Sequence, residues 1–499
     1  MSIILLDPPN LLPHNKLQEI SNAPLSACLM TGYISSVLKE YGFFVEIINA
    51  NSNNLSIEET IDLIQDKSPL LLGVHLIYQW EETLKVLKML ESIKFNFSPH
   101  INLYGFYPTF AYKELLNNNI YIDSITIGEP EFTFLELADS LLNGNGYKNI
   151  FNIKGLSFVK CQEVIKNQDR DLIKDLDSLP FPDRLDFPGD SLNYILGSRG
   201  CYNQCSFCYV NPFYGKKKLW RGRNVESIVK EISSLAKNGN RRFYFADANF
   251  FGKDIKDKEK RGETLAFLLK KLDKGIQFGL ECRADDVSKE TFKKLKDVGL
   301  TQVFLGVENS CQDTLRRFNK SIKSDKNKEA IRIIQSLNIE LFLGFIMFDQ
   351  ETTIDSLQDN FYFLKELNLL RTPSVTAHLL CHHQNVLQGT PDYQKLLSNN
   401  SISFPSYSKY EGLYSFIDSR VSFVYSLVEK FCYKILNYLE GKDLECSLNY
   451  KIEDSYEEIN NLLILSFEET LFYFKDYKNC EQEKAYYFQE KILSQFSFL

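Results

Sequence analysis

Short apolar runs alternate with longer amphipathic segments from the first residues to about residue 145. Runs rich in Ile, Leu and Val predict strands, whereas segments whose apolar residues recur every three or four positions predict helices. The predicted strands are Ile3 to Leu6, Phe43 to Ile48, Leu70 to His75, Ile101 to Tyr104 and Ser124 to Ile127, and the predicted helices are Thr31 to Tyr41, Ile57 to Gln65, Glu81 to Ile93 and Glu131 to Leu142. This alternation indicates an α/β domain with a doubly wound, Rossmann-like parallel sheet, which binds ligands beyond the carboxyl ends of its strands.

A second alternation of strands and helices runs from Asn193 to about Thr390. Its predicted strands are Tyr194 to Gly197, Arg242 to Ala246, Ile276 to Cys282, Gln302 to Val307, Glu340 to Met347 and Val375 to Leu380. The predicted helices between them are Val225 to Lys237, Lys289 to Val298, Lys326 to Leu337 and Thr353 to Leu367. Six such strands predict a partial (β/α)6 barrel, whose active groups gather at the carboxyl ends of the strands.

A proline-containing segment separates the two alternations. Pro180 and Pro182 disfavour helix and favour extended backbone, which is typical of a linker. After the barrel, Tyr, Phe, Leu and Glu recur at helical spacing, and Val421 to Leu439 and Tyr456 to Tyr477 predict an α-helical C-terminal cap. The predicted domains are residues 1–150, a linker at 151–190, a barrel at 191–400 and a helical domain at 401–499.

Composition narrows the classes of protein that fit. The 499 residues are 44% hydrophobic with a net charge of −8, which argues against general nucleic-acid binding. The chain has no uncharged apolar run of about 18 residues and no basic leader at Met1, so we expect a cytoplasmic protein without a membrane partner. The 11 Cys are mostly at irregular separations and do not indicate a disulfide framework.

Three of these cysteines, Cys201, Cys205 and Cys208, form a CxxxCxxC motif. Thiolates hold iron–sulfur clusters, and three ligands on a four-iron four-sulfur (4Fe-4S) cluster leave one iron open to another molecule. A zinc knot is the alternative, but structural zinc usually takes four Cys or His ligands in close pairs, and the sequence offers no fourth nearby. The motif therefore predicts a 4Fe-4S cluster.

The motif and its flanks, Gly197-Ser-Arg-Gly before Cys201 and Phe207 before Cys208, resemble the cluster loop of the radical S-adenosylmethionine (radical SAM) superfamily. The resemblance implies that the open iron chelates SAM and that an electron, delivered by a donor such as flavodoxin or ferredoxin, splits it into methionine and a 5′-deoxyadenosyl radical. It further implies SAM contacts from polar residues after the barrel strands and from the aromatic residue of the loop: Asp247, Asn249, Arg283, Glu308 and Phe207. The alternative for each polar residue is a strand-capping role.

The strand ends of the first sheet resemble the cobalamin-binding domain that precedes the radical SAM domain in one large subfamily, and so does the Leu-Pro-x-Pro-Asp linker. The implied cobalamin contacts are Tyr78, Gly105, Pro108, Thr109, Gly128 and Glu129. An Asp-x-His-x-x-Gly signature is absent, so cobalamin is expected to bind without the lower-face histidine of that signature. Two alternatives stay open: a sheet that carries no corrinoid, and a core or loop role for His75.

The segment after Leu380 offers candidate catalytic residues. If it continues the last strand, Cys381 and His383 share one face and His382 faces the other, so one member is placed to meet substrate; packing roles are the alternative. A basic run from Lys216 to Arg223 is either a solvated face or a site that steers an anionic substrate.

These expectations give a leading function and three alternatives. The first is a cobalamin-dependent radical SAM methyltransferase that methylates an unactivated carbon of a small-molecule or peptide substrate. The second is a non-methylating carbon-radical reaction, such as a cyclisation, ring contraction, oxidation or rearrangement. RNA methylthiolation would call for further cysteines before the barrel, and here only Cys28 precedes Cys161. A non-enzymatic corrinoid carrier leaves the cysteine motif unexplained.

Overall fold

The N-terminal part of the chain folds around a seven-stranded sheet in the order β2-β1-β3-β4-β5-β6-β7. The computed structural model describes residues 2–9, 28–79, 81–143, 150–184, 192–215, 219–252, 255–272, 275–443, 452–476 and 482–497. The strands are β1 (Ile3–Asp7), β2 (Val45–Asn49), β3 (Leu71–His75), β4 (His100–Tyr104), β5 (Ser124–Thr126), β6 (Leu156–Lys160) and β7 (Glu163–Lys166). The first five are parallel, whereas β6 and β7 are antiparallel additions, so the predicted linker contributes two strands to this sheet.

Five helices accompany this sheet: α1 (Cys28–Glu40), α2 (Ile57–Lys67), α3 (Glu81–Phe97), α4 (Phe106–Asn118) and α5 (Glu131–Leu142). The strands β1, β3 and β4 are buried throughout, as expected for parallel strands covered on both faces. The predicted doubly wound sheet is therefore confirmed. Helix α4 was not predicted, because its first turn contains Pro108, a residue that helices tolerate only near their start.

The order of the strands locates the ligand crevice of this sheet. Strand β1 lies between β2 and β3, so the connection from β1 to β2 and the connection from β2 to β3 run in opposite directions across the sheet. Open parallel sheets bind ligands at such a switch point, beyond the carboxyl ends of the strands. The residues that end β1 and β3 here are Asp7 and His75.

A second parallel sheet has the order β14-β13-β12-β11-β8. Its strands are β8 (Asn193–Ile195), β11 (Arg242–Phe245), β12 (Gln277–Arg283), β13 (Leu300–Glu308) and β14 (Glu340–Phe345), and an antiparallel hairpin of β9 (Ser198–Cys201) and β10 (Leu219–Gly222) lies between β8 and β11 in sequence. The helices of this region are α6 (Val210–Phe213), α7 (Val225–Lys237), α8 (Ile255–Lys271), α9 (Lys289–Lys296), α10 (Gln312–Arg317), α11 (Ser324–Ser336) and α12 (Ile354–Glu366). The predicted partial barrel is confirmed, with one exception.

The exception is the sixth predicted strand, Val375 to Leu380, which is part of a helix, α13 (Pro373–Cys381). Thr372 caps this helix and Pro373 occupies its first turn, which is a favourable start for a helix. The apolar run is buried against the C-terminal helices, where the Thr376 hydroxyl donates to Asn460 Oδ1 at 2.6 Å. A single parallel bridge between Phe348 and His383 stands where the sixth strand was expected.

The remaining elements are α14 (Pro391–Ser398), a short pair of β15 (Val386–Leu387) and β16 (Glu411–Gly412), and three helices, α15 (Ser419–Asp443), α16 (Ile452–Asp476) and α17 (Gln482–Ser494). The last three confirm the predicted helical C-terminal region, and their apolar faces form one continuous core with the barrel. Among the residues that the structure describes, no helix is both long and apolar enough to cross a lipid bilayer.

Candidate functional site

The cysteine motif lies on a loop that leaves β9, the first strand of the hairpin. Gly200 has a φ of +83°, and a Cβ there would lie 1.9 Å from the carbonyl oxygen of Leu219, so the tight entry to the loop requires glycine. Asn203 donates to the backbone oxygens of Asn319 and Lys320 at 3.1 and 3.0 Å. The Ser206 amide donates to the Phe318 oxygen at 2.9 Å. The loop is therefore fixed against the segment that follows α10.

Cys201, Cys205 and Cys208 line one cavity of about 1070 Å³, which we call the cluster cavity. Within the described part of the chain, no three His, Cys, Asp or Glu side chains are arranged to hold a single metal ion. A cluster has a different requirement, because each thiolate binds its own iron. The three thiols therefore fit a 4Fe-4S cluster better than a zinc ion.

Two cationic side chains lie in the same cavity as these thiols. Burial raises the pKa of Cys201, whereas the positive charges of Arg283 and Lys320 act in the opposite direction. Both cationic side chains line the cluster cavity, and Nη1 of Arg283 is buried without a hydrogen-bond partner among the described residues. The arrangement can therefore hold anionic groups, such as thiolates on a cluster or a carboxylate of a bound ligand.

The residues predicted to contact SAM divide into two groups. Phe207, Arg283 and Glu308 line the cluster cavity, with the ring of Phe207 against Phe318 at a centroid distance of 5.3 Å. Asp247 and Asn249 line neither this cavity nor the second one described below, because the loop alternates and presents Ala248 instead. Asp247 Oδ2 accepts from the Gly197 amide at 2.9 Å, and Asn249 donates to Asp286. In the structure both side chains are therefore held by protein partners, and their contact with SAM stays a prediction.

Glu308 forms a buried ion pair that the sequence did not indicate. Its Oε1 accepts from Nζ of Lys320 at 2.6 Å, and the two side chains are 8% and 4% exposed. Glu308 also has a φ of +67°, which is uncommon for a residue other than glycine. Backbone strain of this kind persists where the surrounding structure holds it, often at binding sites.

A second cavity of about 880 Å³, which we call the interface cavity, lies between the carboxyl ends of the first sheet and the barrel. Most of the residues that line it are apolar, and a few are charged. The lining residues include Leu29, Met30, Tyr33, His75, Ile77, Phe106, Glu129, Glu131, Leu196, Arg199, Tyr209, Val210, Phe213 and Ala246. An apolar lining with a few polar groups is typical of small-molecule and cofactor sites.

The residues predicted to contact cobalamin are divided as well. Glu129 lines the interface cavity, whereas Tyr78 lines the cluster cavity. Gly105, Pro108, Thr109 and Gly128 line neither, but they shape the crevice. The Thr109 hydroxyl donates to the Gly105 oxygen at 2.7 Å and accepts from the Gly128 amide at 3.1 Å, so it joins the turns after β4 and β5.

Buried ion pairs join the two domains at the edge of the interface cavity. Arg199 donates to Glu129 at 2.9 Å and to Glu131 at 2.5 Å, and Arg221 donates to Glu129 at 3.0 Å. Burial alone would raise the pKa of Glu129, but the two guanidinium groups lower it below its usual value. In the predicted basic run, Arg221 and Arg223 are buried in ion pairs with Glu129 and Glu231 rather than solvated. Residues 216–218 of that run lie outside the described residues.

The two cavities adjoin each other. Tyr209, Val210, Ala248 and Glu281 line both of them. Burial raises the pKa of Glu281 to about 8, and the Tyr244 hydroxyl donates to its Oε1 at 3.3 Å. At neutral pH this carboxyl group is therefore mostly protonated and able to donate a hydrogen bond into either cavity.

The candidate catalytic residues lie outside the cavities. Cys381 is buried at the end of α13 and forms a hydrogen bond with Cys432, and His383 Nδ1 lies 3.1 Å from the Tyr425 hydroxyl. His382 lines the cluster cavity instead. The sequence analysis gave no role in the site to Lys320 or Glu281. The position of Glu281 near a strand end was the one feature that could have indicated its role. Lys320 follows helix α10, which was not predicted.

Comparison with known proteins agrees with this geometry. Residues 195–359 match the family model described as the radical SAM superfamily, so the chain contains a radical SAM domain. This confirms the resemblance drawn from the cysteine loop, and the domain implies a 4Fe-4S cluster and SAM as cofactors.

Relatives and solved structures extend the comparison beyond that domain. An uncharacterized methyltransferase of Pyrococcus horikoshii is 24% identical over 74% of this chain and 79% of its own length. An anaerobic magnesium-protoporphyrin IX monomethyl ester cyclase of Cereibacter sphaeroides is 27% identical over 66% of this chain, and the match spans about half, 55%, of that protein. The structure of the cobalamin-dependent S-adenosylmethionine radical enzyme OxsB with aqua-cobalamin bound matches 99% of this chain and 75% of its own, with a TM-score of 0.75 and 21% identity. That likeness shows the fold.

Proposed function

We propose that this protein is a cobalamin-dependent radical SAM methyltransferase that methylates an unactivated carbon of a small-molecule or peptide substrate. The observation that carries the proposal is the common wall of the two cavities, formed by Tyr209, Val210, Ala248 and Glu281. A site for reductive cleavage of SAM and a site for a methyl-carrying corrinoid must both reach one substrate carbon, and adjoining cavities meet that requirement.

Each part of the site has a proposed role. Cys201, Cys205 and Cys208 would hold the cluster, which when bound would supply the electron for the cleavage of SAM, while bound cobalamin would supply the methyl carrier. Arg283 and Lys320 offset negative charge in the cluster cavity. The apolar wall of the interface cavity would exclude water from a bound corrin, and Glu129 and Glu131 would be available to its amide groups. Glu281 donates a hydrogen bond to substrate where the cavities meet.

The interface cavity passes a test of fit with cobalamin. It combines apolar lining with an unpartnered buried acceptor, Oε2 of Glu131, and an unpartnered ring nitrogen, Nε2 of His75. A corrin has the matching character, since its macrocycle is apolar and its side chains end in amides.

We propose a reducing compartment, the cytoplasm, with flavodoxin or ferredoxin as the electron donor, because such clusters are oxygen-sensitive.

Anaerobic reconstitution with iron, sulfide and hydroxocobalamin tests the proposal. After reduction in the presence of SAM, methyl transfer yields S-adenosylhomocysteine together with 5′-deoxyadenosine. A protein that retains no cobalamin, or forms no 5′-deoxyadenosine, would overturn it.

A second candidate function is a non-methylating radical reaction such as a cyclisation. It is favoured by the relative named as a cyclase, which matches two thirds, 66%, of this chain. In the same experiment, 5′-deoxyadenosine without S-adenosylhomocysteine supports this second function.

A further inference from the structure

Two buried side chains meet at the switch point of the first sheet. Asp7 ends β1 and His75 ends β3, and they are 1% and 2% exposed. Asp7 Oδ1 lies 3.2 Å from His75 Nδ1, so the carboxylate holds that ring nitrogen. The pair is formed by residues 68 positions apart in sequence, which explains why no local motif reveals it.

The orientation of the His75 ring is fixed by its neighbours. Tyr104 stacks on the ring at a centroid distance of 5.3 Å and an interplanar angle of 17°. A Cβ on Gly105 would lie 2.9 Å from Cδ2 of His75, so the glycine leaves room for the ring. Thr31 donates to Asp7 Oδ1 at 3.1 Å and lies 2.9 Å from the Tyr104 hydroxyl, which ties the supporting residues together.

The other ring nitrogen is left for a ligand. His75 lines the interface cavity, and its buried Nε2 has no hydrogen-bond partner among the described residues. When Nδ1 carries the proton and donates to Asp7, Nε2 keeps its lone pair. Metal-binding histidines commonly have this arrangement, with a carboxylate on one ring nitrogen and the metal on the other.

We propose, on the premise that the interface cavity binds cobalamin as the proposed function requires, that His75 Nε2 coordinates the cobalt from the side of the first sheet. Asp7 is a positioning residue that fixes the tautomer and the direction of the ring. The sequence lacks the Asp-x-His-x-x-Gly signature, and the fold supplies an Asp–His pair from two strand ends instead.

Electron paramagnetic resonance of the full chain tests this coordination without assaying activity. Protein grown with ¹⁵N-histidine is loaded anaerobically with hydroxocobalamin, freed of excess, and reduced to the cobalt(II) state. A coordinating histidine splits each cobalt line into a triplet in unlabelled protein and into a doublet in labelled protein. His75→Gln should still retain cobalamin but lose this coupling, whereas His378→Gln, on α13, should keep it.

The possible outcomes separate this inference from the proposed function. A triplet that persists in the ¹⁵N-histidine-labelled protein comes from the base of the cofactor itself. It would overturn the coordination by His75 while leaving cobalamin binding intact. Absence of nitrogen splitting in wild-type protein, or a doublet that survives in His75→Gln, would overturn it equally. Failure of the wild type to retain any cobalamin would overturn both proposals. The labelled wild type can overturn the coordination by itself, so a folding defect in His75→Gln leaves the proposal open to refutation.

Discussion

The two cavities differ in how they are built and in the ligands that they suit. The cluster cavity concentrates charge, with three thiols facing Arg283 and Lys320. The interface cavity is mostly apolar, and Arg199 and Arg221 form ion pairs with its Glu129 and Glu131 across the domain boundary. One cavity therefore suits an ionic cluster and the other a broad, apolar-faced cofactor. The proposed function requires that one substrate reach both, and the common wall supports it.

The largest expected effect comes from removing one thiol. Cys205→Ala should abolish 5′-deoxyadenosine formation, because the two remaining cysteines are too few to hold the cluster that binds SAM. Cobalamin binding should be retained. Cys161→Ser is the matched control, since Cys161 is exposed on the first domain. Product analysis and cobalamin retention after gel filtration measure the two effects. Loss of cobalamin in Cys205→Ala would show that the cavities are not independent sites.

The next effect concerns the buried ion pair of the cluster cavity. Lys320→Met leaves the Glu308 carboxylate buried and unpaired, so the free energy of unfolding should fall by about 3–5 kcal/mol. The control is Lys328→Met, whose partner Glu366 lies at the surface and which should lose much less stability. Chemical denaturation measures both. Equal losses in the two variants would contradict the role given to burial.

A glycine substitution tests the interface cavity alone. Gly105→Ala places a Cβ 2.3 Å from the Leu76 oxygen and 2.9 Å from the His75 ring, at a φ of +116°. We expect a loss of about 1–3 kcal/mol in stability and weaker cobalamin binding, with unchanged cluster content.

Gly42→Ala is the control for that substitution. Gly42 has a comparable φ of +84°, but a Cβ there would meet no atom within 4 Å. This variant should show the cost of backbone strain without the clash, and normal cobalamin affinity. Spectroscopic titration with hydroxocobalamin compares the two variants. Equal affinities would show that Gly105 does not shape the crevice for cobalamin.

The last prediction is a pH dependence at the common wall. The pKa of Glu281 is about 8 in the folded protein, and its ordinary value is 4.5. The unfolded chain therefore loses this proton at lower pH than the folded one, so this group lowers stability progressively as pH rises from about 4.5 to about 8. Glu281→Gln should unfold at a higher temperature than wild type near pH 8, with little difference near pH 4.5. An advantage that does not grow with pH would contradict the raised pKa.

The cluster loop was predictable because its ligands lie within one short stretch of chain. The spacing of Cys201, Cys205 and Cys208 alone indicates a cluster site, and the strand pattern placed this motif at the start of the barrel. The pattern failed at Val375 to Leu380, since a buried apolar run does not distinguish helix from strand. The Thr372-Pro373 pair before it was the signal that favoured a helix.

The interface cavity was harder to predict because its residues come from distant parts of the chain. Strand-end turns identified Glu129, but the partners of Glu129 lie 70 and 92 residues later, at Arg199 and Arg221. The resemblance implied that Asp247 and Asn249 contact SAM, and only the folded loop shows that Ala248, between them, lines the cavities. Such choices depend on tertiary packing.

The most direct test of the account is the metal content of the anaerobically reconstituted wild-type protein, measured together with 5′-deoxyadenosine formation from SAM. We expect about four iron atoms and about one cobalt per chain after removal of unbound cofactors, since a 4Fe-4S cluster and a corrinoid occupy adjoining cavities. Iron with 5′-deoxyadenosine but no cobalt would contradict the assignment of the interface cavity. Protein without iron that leaves SAM intact would contradict the account as a whole.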